Sequence, residues 1–158
     1  MSHAWLLNAA LLAATVVAME VVAWTVHRYV MHGWGWGWHK SHHEPREGLL
    51  ERNDLYGFGF ALLSLLMFVT LPALWAPLWW VAAGTLVYGL LYTLLHDGMV
   101  HRRLPFVKAP RRGYLKRLVQ AHRLHHAVRE REGAVSFGFL YAPPVARLRA
   151  ALRTRSDA

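Results

Sequence analysis

Residues 55–96 read LYGFGFALLSLLMFVTLPALWAPLWWVAAGTLVYGLLYTLLH, a run of 42 residues without Asp, Glu, Lys or Arg. A transmembrane helix needs about 20 apolar residues, so this run is too long for one span and suits two. Its middle holds two prolines and three tryptophans: Pro72, Trp75, Pro77, Trp79 and Trp80. Proline interrupts helical hydrogen bonds, and tryptophan favours the headgroup region of a membrane. We therefore predict a helical hairpin, residues 55–71 and 78–96, that turns at the two prolines.

A third apolar stretch covers residues 4–26, in which the only polar side chains are those of Asn8, Thr15, Glu20 and Thr25. As a helix it is about 35 Å long, enough to cross a hydrocarbon core of about 30 Å. A signal peptide is the alternative, but residues 1–10 contain no Lys or Arg and the apolar run is too long. We predict three transmembrane helices.

The charges of the chain lie in two blocks. The 158 residues carry a formal net charge of +9, and all 18 Lys and Arg lie in residues 28–52 or 102–155. Such a distribution is typical of a membrane protein and argues against a nucleic-acid partner. The positive-inside rule places both blocks in the cytoplasm, so we expect a membrane protein with an external N-terminus and a cytoplasmic C-terminus.

The remaining sequence predicts a cytoplasmic cap. Residues 115–128 have the pattern of a helix with a basic surface, and residues 133–145 are apolar but too short to span, so we expect them at the membrane interface. The predicted fold is all-α, one membrane-embedded domain over residues 1–158 with a His-rich helical cap. Because the chain has no Cys, any metal must be held by histidine or carboxylate.

Ten of the 11 histidines form four groups: His27 and His32; His39, His42 and His43; His96 and His101; and His122, His125 and His126. The same pattern occurs twice, as a pair five residues apart at the cytoplasmic end of a membrane helix, followed by a triplet. His3 lies outside it. A pH-sensing cluster is the alternative reading, but so many cations packed together would repel one another.

The spacing of these histidines predicts two metal ions. Offsets of three and four place each triplet on one helix face. An offset of five is about 140° around an ideal helix, so the members of a pair can share a target only if the helix is distorted or ends between them. Ten imidazoles exceed the four to six ligands of one ion. The chain has no Glu-x-x-His and no His-Glu-x-x-His motif, and imidazole alone leaves the metal open among Fe, Zn, Cu and Ni.

Two acidic residues lie near the histidine-bearing helix ends. Glu20 is seven residues before His27, so it shares that face about 10 Å deeper in the membrane, where a carboxyl group needs a partner. It either accepts a hydrogen bond from Tyr88 or Tyr92, or it tunes the site and its proton supply.

Asp97 follows His96 and precedes His101 by four residues. We expect it to accept a ring N–H from a ligating histidine and so fix the tautomer of that ring. The alternative is a solvated charge that pairs with Arg102 or Arg103.

The histidine motifs resemble those of the bacterial β-carotene 3-hydroxylases in the fatty-acid hydroxylase superfamily, over residues 20–143. They are HRYVMH (27–32), GWGWGWHKSHHE (33–44), HDGMVH (96–101) and HRLHH (122–126). The spacing alone is shared by many membrane hydroxylases and desaturases. The Trp/Gly run before His39 and the segment SFGFLY (136–141) indicate the carotenoid branch.

This resemblance implies a non-haem di-iron monooxygenase of the bacterial inner membrane, in which the ten grouped histidines hold two iron ions. Such an enzyme uses O₂ and two electrons from a reduced ferredoxin-type donor to hydroxylate carbon 3 of each β-ionone ring. β-Carotene, taken from the bilayer, is converted to β-cryptoxanthin and zeaxanthin. Basic residues around 102–131, among them Arg111 and Arg112, could attract an acidic donor, although the positive-inside rule alone would also explain them.

Other functions stay open at this stage. The runner-up is a hydroxylase of another membrane lipid, a sterol or a fatty acyl chain, and the Trp/Gly run argues against a carotenoid ketolase. A membrane metal carrier is the alternative from a different class, but it should place its ligands near mid-membrane rather than at one edge. The sequence does not give the oligomeric state.

Overall fold

The computed structural model describes residues 3–45, 48 and 50–156 and forms only helices and irregular segments over this part of the chain. The six α-helices are α1 (Ala4–Thr25), α2 (Trp36–His43), α3 (Asp54–Leu74), α4 (Trp79–Tyr92), α5 (Gly113–His125) and α6 (Val145–Ser156). Three helical stretches are long and apolar enough to cross a membrane: Ala4–Trp34, Asp54–Leu74 and Ala76–Val100. The predictions of an all-α fold and three spans are therefore confirmed.

The turn between the second and third spans differs from the prediction at one of its two prolines. Pro72 lies inside α3, and the chain leaves the helix only at Trp75, whose φ and ψ are −162° and 120°. Pro77 begins the next helix within a short 3₁₀ turn, Ala76–Leu78. Pro72 removes a single backbone hydrogen bond near the helix end, so the last turn persists, and the Trp75 N–H still donates to Leu71 at 3.2 Å.

The three spanning helices pack with α4 between α1 and α3. Two glycines on α4 allow this close approach. A Cβ at Gly84 would lie 2.7 Å from Cβ of Thr15 and 2.8 Å from the carbonyl oxygen of Leu12 on α1, and a Cβ at Gly89 would lie 2.7 Å from the Phe60 ring on α3. Small residues at such contacts are how membrane helices gain packing without a hydrophobic driving force.

Two spanning helices change from α to π geometry just where the histidine pairs occur, at Val26–Trp34 and at Thr93–Val100. In a π-helix the N–H of one residue bonds to the carbonyl five residues earlier. The His101 N–H donates in this way to His96 at 3.0 Å, and Gly35 donates to Val30 at 2.8 Å. This is the distortion that a pair spaced by five requires to direct both rings to one place.

The cap consists of α2, α5, α6 and the irregular segment between α5 and α6. Its apolar core packs on Leu95 of the third spanning stretch and contains Leu118, Ala121, Val135, Ala142 and Leu148. Within residues 133–145, which we expect at the membrane interface, Val135 and Phe137 are buried against protein. The segment is apolar because it covers the histidines. α5 ends at His125, three residues before the predicted end, and the sequence analysis did not predict α6.

Candidate metal centre

The fold brings all ten grouped histidines together, and nine of them form two sets whose ligand nitrogens lie within 4.8 Å of one another. The five-histidine group contains His42, His96, His101, His122 and His126. The four-histidine group contains His27, His32, His39 and His125. His43 lies between the groups, with Nε2 3.3 Å from Nε2 of His39 and its ring stacked on His126.

Pairs and triplets contribute to the two groups in different ways. Each π-helical segment directs both of its histidines into one group: Val26–Trp34 supplies the four-histidine group, and Thr93–Val100 with His101 after it supplies the five-histidine group. Each triplet is divided. α2 gives one ligand to each group and places His43 between them, and the α5 triplet gives two to one group and one to the other. The triplets therefore join the two halves of the centre.

The Nε2 atoms converge at distances suited to a shared ion. They are 3.1 Å apart for His27 and His39, 3.1 Å for His32 and His125, 2.9 Å for His42 and His96, and 2.9 Å for His122 and His126. Metal–nitrogen bonds of about 2.0–2.1 Å give nitrogen separations of about 2.9 Å at right angles and about 3.3 Å in a tetrahedron.

Backbone carbonyls fix four of the rings from behind. The Nδ1–H groups donate from His27 to Phe137 at 2.9 Å, from His32 to Arg131 at 2.8 Å, from His43 to Val128 at 2.8 Å and from His125 to Val135 at 2.9 Å. A carbonyl only accepts, so the proton lies on Nδ1 and the lone pair of Nε2 points into the cluster. This tautomer is the one that binds a metal through Nε2.

Side-chain oxygens fix two rings of α2. His39 donates from Nδ1 to Oδ1 of Asn53 at 2.7 Å, and His42 donates to Oε1 of Glu51 at 2.7 Å. The sequence analysis missed both acceptors. They lie in the loop before α3, where Asn and Asp commonly cap helices, so nothing local distinguishes a capping role from a contact with histidine.

Asp97 contacts a partner from each of the two alternatives considered from the sequence. Its Oδ1 accepts from Nδ1 of His96 at 2.8 Å and lies 4.0 Å from Nη1 of Arg103. Arg103 binds both oxygens of Asp54 at 2.6 and 2.7 Å and lies 3.7 Å from Glu51. These carboxylates hold the pKa of Arg103 above its usual value against the opposing effect of burial. The guanidinium thus links acids from the start of α3 to the acid beside His96.

Burial keeps the cap histidines neutral. Burial, assisted by nearby imidazoles, lowers the pKa of His39 to about 3, that of His43 to about 4 and that of His126 to about 2. A neutral imidazole is the form that binds a metal, whereas a protonated one has no lone pair to offer. The ten rings are buried or half-buried, and nine of them bring their ligand nitrogens together in two groups, so the site fits two first-row transition-metal ions.

Glu20 lies beside the irregular segment that covers the centre. Its carboxylate accepts from the Tyr88 hydroxyl at 2.8 Å and from the backbone N–H groups of Phe139, Leu140 and Tyr141 at 2.9, 3.0 and 3.0 Å. The Tyr88 contact is one of the two that the sequence suggested. His3, outside the pattern, is exposed beside the N-terminus of α1.

The two larger cavities among the described residues approach the centre. One, of about 350 Å³, reaches the five-histidine group from the cap side and is lined by His42, His101, His126 and the exposed Arg123 and Arg129, among others. The other, of about 530 Å³, lies between the end of α1 and residues 134–143. Phe137 separates it from the four-histidine group, because its ring packs on His27, His32 and His125.

The chain is similar to a known protein family and to several known proteins. The family model described as "Fatty acid hydroxylase" matches residues 12–143. A beta-carotene hydroxylase of Pantoea ananas is 59% identical over 155 residues, 98% of this chain and 88% of its own length. One from Paracoccus sp. (strain PC1) is 58% identical over 141 residues, 89% and 87% of the two chains.

More distant relatives include a chloroplastic beta-carotene 3-hydroxylase 2 of Arabidopsis thaliana, 33% identical over 138 residues, 85% of this chain and 45% of that protein. No solved structure is significantly similar. The family match covers most of the chain, including all ten grouped histidines. The chain belongs to the fatty acid hydroxylase family.

Proposed function

We propose that this protein is a membrane oxygenase that hydroxylates carbon 3 of the β-ionone rings of β-carotene, giving β-cryptoxanthin and then zeaxanthin. The observation that carries the proposal is the convergence of ten imidazoles at the ends of two spanning helices, in a chain 59% identical to a beta-carotene hydroxylase. The names of the relatives favour a carotene over a sterol or fatty acyl substrate.

The centre would hold two iron ions, one in each histidine group, with His43 available to either. Bound iron would supply the oxidant for an unactivated C–H bond, with O₂ as co-substrate. Hydroxylation of one ring consumes one O₂, two electrons and two protons and releases one water. The backbone carbonyls, Asn53, Glu51 and Asp97 would keep the ligand rings oriented.

The protein would position an apolar rod and exclude water. The histidine pairs lie where two spanning helices end, so a ring that enters from the bilayer reaches the centre without crossing the charged surface. The Phe139 ring packs on His27, His96 and His122 and against Tyr92. Such an aromatic wall would hold the ring edge beside the oxidant and keep water from it.

Electrons would arrive from an acidic, ferredoxin-like donor at the cap side. The exposed Arg123 and Arg129 line the cavity that reaches the five-histidine group, so a donor seated there is close to the imidazoles. Arg111 and Arg112 precede α5, whereas the histidine triplet lies at its other end. Arg112 is about 15 Å along the helix from His122. We therefore favour Arg123 and Arg129 as the docking site of the donor.

Co-expression with a β-carotene pathway in a host that lacks xanthophylls, followed by pigment extraction, tests the proposal. We expect yellow xanthophyll with the wild-type chain and with His3→Ala, and unchanged β-carotene with His101→Ala, because a lost ligand leaves an open position. Unchanged carotene with an expressed wild-type chain and its donor would contradict it. Hydroxylated sterol or acyl chains in the same cells would favour another lipid, and altered metal uptake alone would favour a carrier.

A further inference from the structure

Residues 135–141, here called the cover segment, contact the metal centre through both backbone and side chains. The carbonyls of Val135 and Phe137 accept the Nδ1–H groups of His125 and His27 at 2.9 Å each. The Phe139 ring stacks on His27, with centroids 5.3 Å apart and planes at 12°. The position of this one irregular segment therefore sets the orientation of two ligands and one wall of the site.

Glu20 holds the cover segment from a spanning helix. Oε1 accepts from the N–H groups of Phe139 and Tyr141, and Oε2 accepts from the N–H of Leu140 and the hydroxyl of Tyr88. Three consecutive backbone amides that point at one anion form a strong, directional site. A carboxylate in a membrane helix needs such partners, and here three of the four come from the cover segment.

The cover segment is shaped to fit around this carboxylate. A Cβ at Gly138 would lie 2.6 Å from Oε1 of Glu20 and 2.8 Å from the carbonyl oxygen of Tyr141. Ser136, two residues earlier, has a φ of 61°, a left-handed conformation that a residue other than glycine keeps only where its surroundings enforce it. The close turn and the missing side chain at Gly138 both bring the amides onto Glu20.

We propose that Glu20 is a positioning residue for hydroxylation: it binds the amides of residues 139–141 and thereby fixes the Phe137 carbonyl behind His27 and the Phe139 ring over the centre. This inference rests on the proposed function for its activity readout but not for its metal readout. This role differs from that of a residue that only links α1 to α4, for which the hydrogen bond from the Tyr88 hydroxyl would suffice.

The geometry predicts that Glu20→Gln disturbs the segment even though the two side chains have nearly the same shape. Both carboxylate oxygens accept at least one backbone N–H. Whichever oxygen becomes the amide NH₂, a backbone N–H then faces another N–H and loses its acceptor. Rotation of the Tyr88 hydroxyl does not relieve this conflict, because it removes no backbone donor.

The test compares four variants of the full chain, purified in detergent and loaded with Fe²⁺. Glu20→Gln removes the acceptor, Gly138→Ala displaces the segment while the carboxylate stays, Tyr88→Phe removes only the interhelical bond, and the exposed Glu130→Gln is the control. The measurements are the rate of iron release to a chelator and kcat/KM for β-carotene.

We expect Glu20→Gln and Gly138→Ala to release one of the two irons about 10-fold faster, with the second unchanged, because loss of an orienting partner typically costs 10- to 100-fold in metal affinity. The value of kcat/KM should fall by a similar factor. Tyr88→Phe should be much milder, and Glu130→Gln should match wild type. If Glu20→Gln does not accumulate as folded protein, Gly138→Ala carries the comparison.

Wild-type iron release and turnover in both Glu20→Gln and Gly138→Ala would overturn the inference. Equal effects of Tyr88→Phe and Glu20→Gln would also overturn it, because Glu20 would then act only as a tie between helices. If no form of the chain, wild type included, hydroxylates β-carotene, the proposed function fails, while the iron-release comparison still decides the role of Glu20.

Discussion

Each imidazole with a defined Nδ1 partner uses its two nitrogens for different purposes. Nδ1 donates to a fixed oxygen, and Nε2 presents a lone pair to the centre of the cluster. Seven rings have such a partner: His27, His32, His39, His42, His43, His96 and His125. The proton and the lone pair are thus assigned by the protein before any ion binds, which reduces the ordering required on metal binding.

Asp97→Asn tests the contribution of one such partner. The amide oxygen can still accept from His96, but the negative charge that makes the ring a stronger ligand is lost. We expect the fold to persist and iron retention or turnover to fall by about 10- to 100-fold. Iron analysis of purified protein and hydroxylation assays check this. Wild-type iron content together with wild-type turnover would show that Asp97 serves only its contact with Arg103.

The lowered pKa values of the cap histidines predict acid sensitivity of the metal-free protein. His39, His43 and His126 stay neutral in the folded chain down to a pH of about 3, 4 and 2, but take up protons near pH 6.5 when unfolded. The unfolded state therefore binds more protons below about pH 6.5, and stability decreases as the pH falls through that value.

Thermal unfolding of the metal-free protein in detergent at pH 7.5 and pH 5 measures this effect. We expect a lower Tm at pH 5, and a loss of bound metal over the same range in the loaded protein, because protons compete for the same lone pairs. A Tm that is equal at both values would contradict neutral burial of these rings.

At the scale of elements, helix geometry is adapted to the position of each helix. The spanning helices are regular α-helices where they pack and become π-helical where they carry the histidine pairs. α4 approaches α1 closely at Gly84. At Gly57 and Gly59, near the start of α3, a Cβ would have no neighbouring atom within 4 Å. Glycines with the same helical setting therefore have different roles.

Gly84→Ala should destabilise the protein by about 1–3 kcal/mol, because the new methyl meets the Leu12 carbonyl of α1, which cannot move away without the helix. Gly57→Ala is the matched control in an open position, where alanine is the better helix former by about 1 kcal/mol. Unfolding in detergent, followed by circular dichroism, compares the two. Equal stability of the two variants would contradict the close α1–α4 contact.

At the scale of the whole molecule, charge and apolar surface are separated. Large apolar side chains such as Val17, Leu65 and Val69 are exposed along the spanning helices, and the basic residues lie outside the uncharged run of residues 55–96. We propose that the cap and both basic blocks are cytoplasmic. A fluorescent reporter fused after the last residue should then be active in the cytoplasm, and a phosphatase inserted at Trp75 should be active outside. The reverse result would overturn the orientation.

Charge reversal at Arg123 and Arg129 tests whether the electron donor docks at the cap cavity. Arg123→Glu with Arg129→Glu should slow turnover with reduced ferredoxin several-fold, more at low salt than at high salt, since the attraction is screened by ions. The double variant Arg111→Glu with Arg112→Glu serves as the comparison, because these residues directly precede the N-terminus of α5. A loss that does not depend on salt, or an equal loss in both double variants, would count against docking at the cap cavity.

The sequence by itself determined the helical class, the three spans and the histidines that come together. Hydropathy, charge and ligand spacing are local properties, so they can be read from runs such as residues 55–96. The pairs spaced by five also required a helix distortion, and the π-helical segments provide it. We predicted a turn at Pro72 because proline interrupts helical hydrogen bonds. Close to the end of α3, however, the helix tolerates a proline.

Only the tertiary structure decided how the histidines divide into two groups and which oxygens orient them. Phe137 accepts from His27 across 110 residues, and the amides of residues 139–141 reach Glu20 across 119 to 121 residues. Every residue has a backbone carbonyl, and every residue except proline has a backbone N–H. The sequence therefore does not indicate which of them bind these side chains. Their assignment depends on how the irregular segment after α5 folds back onto α1, which is set by packing across the whole molecule.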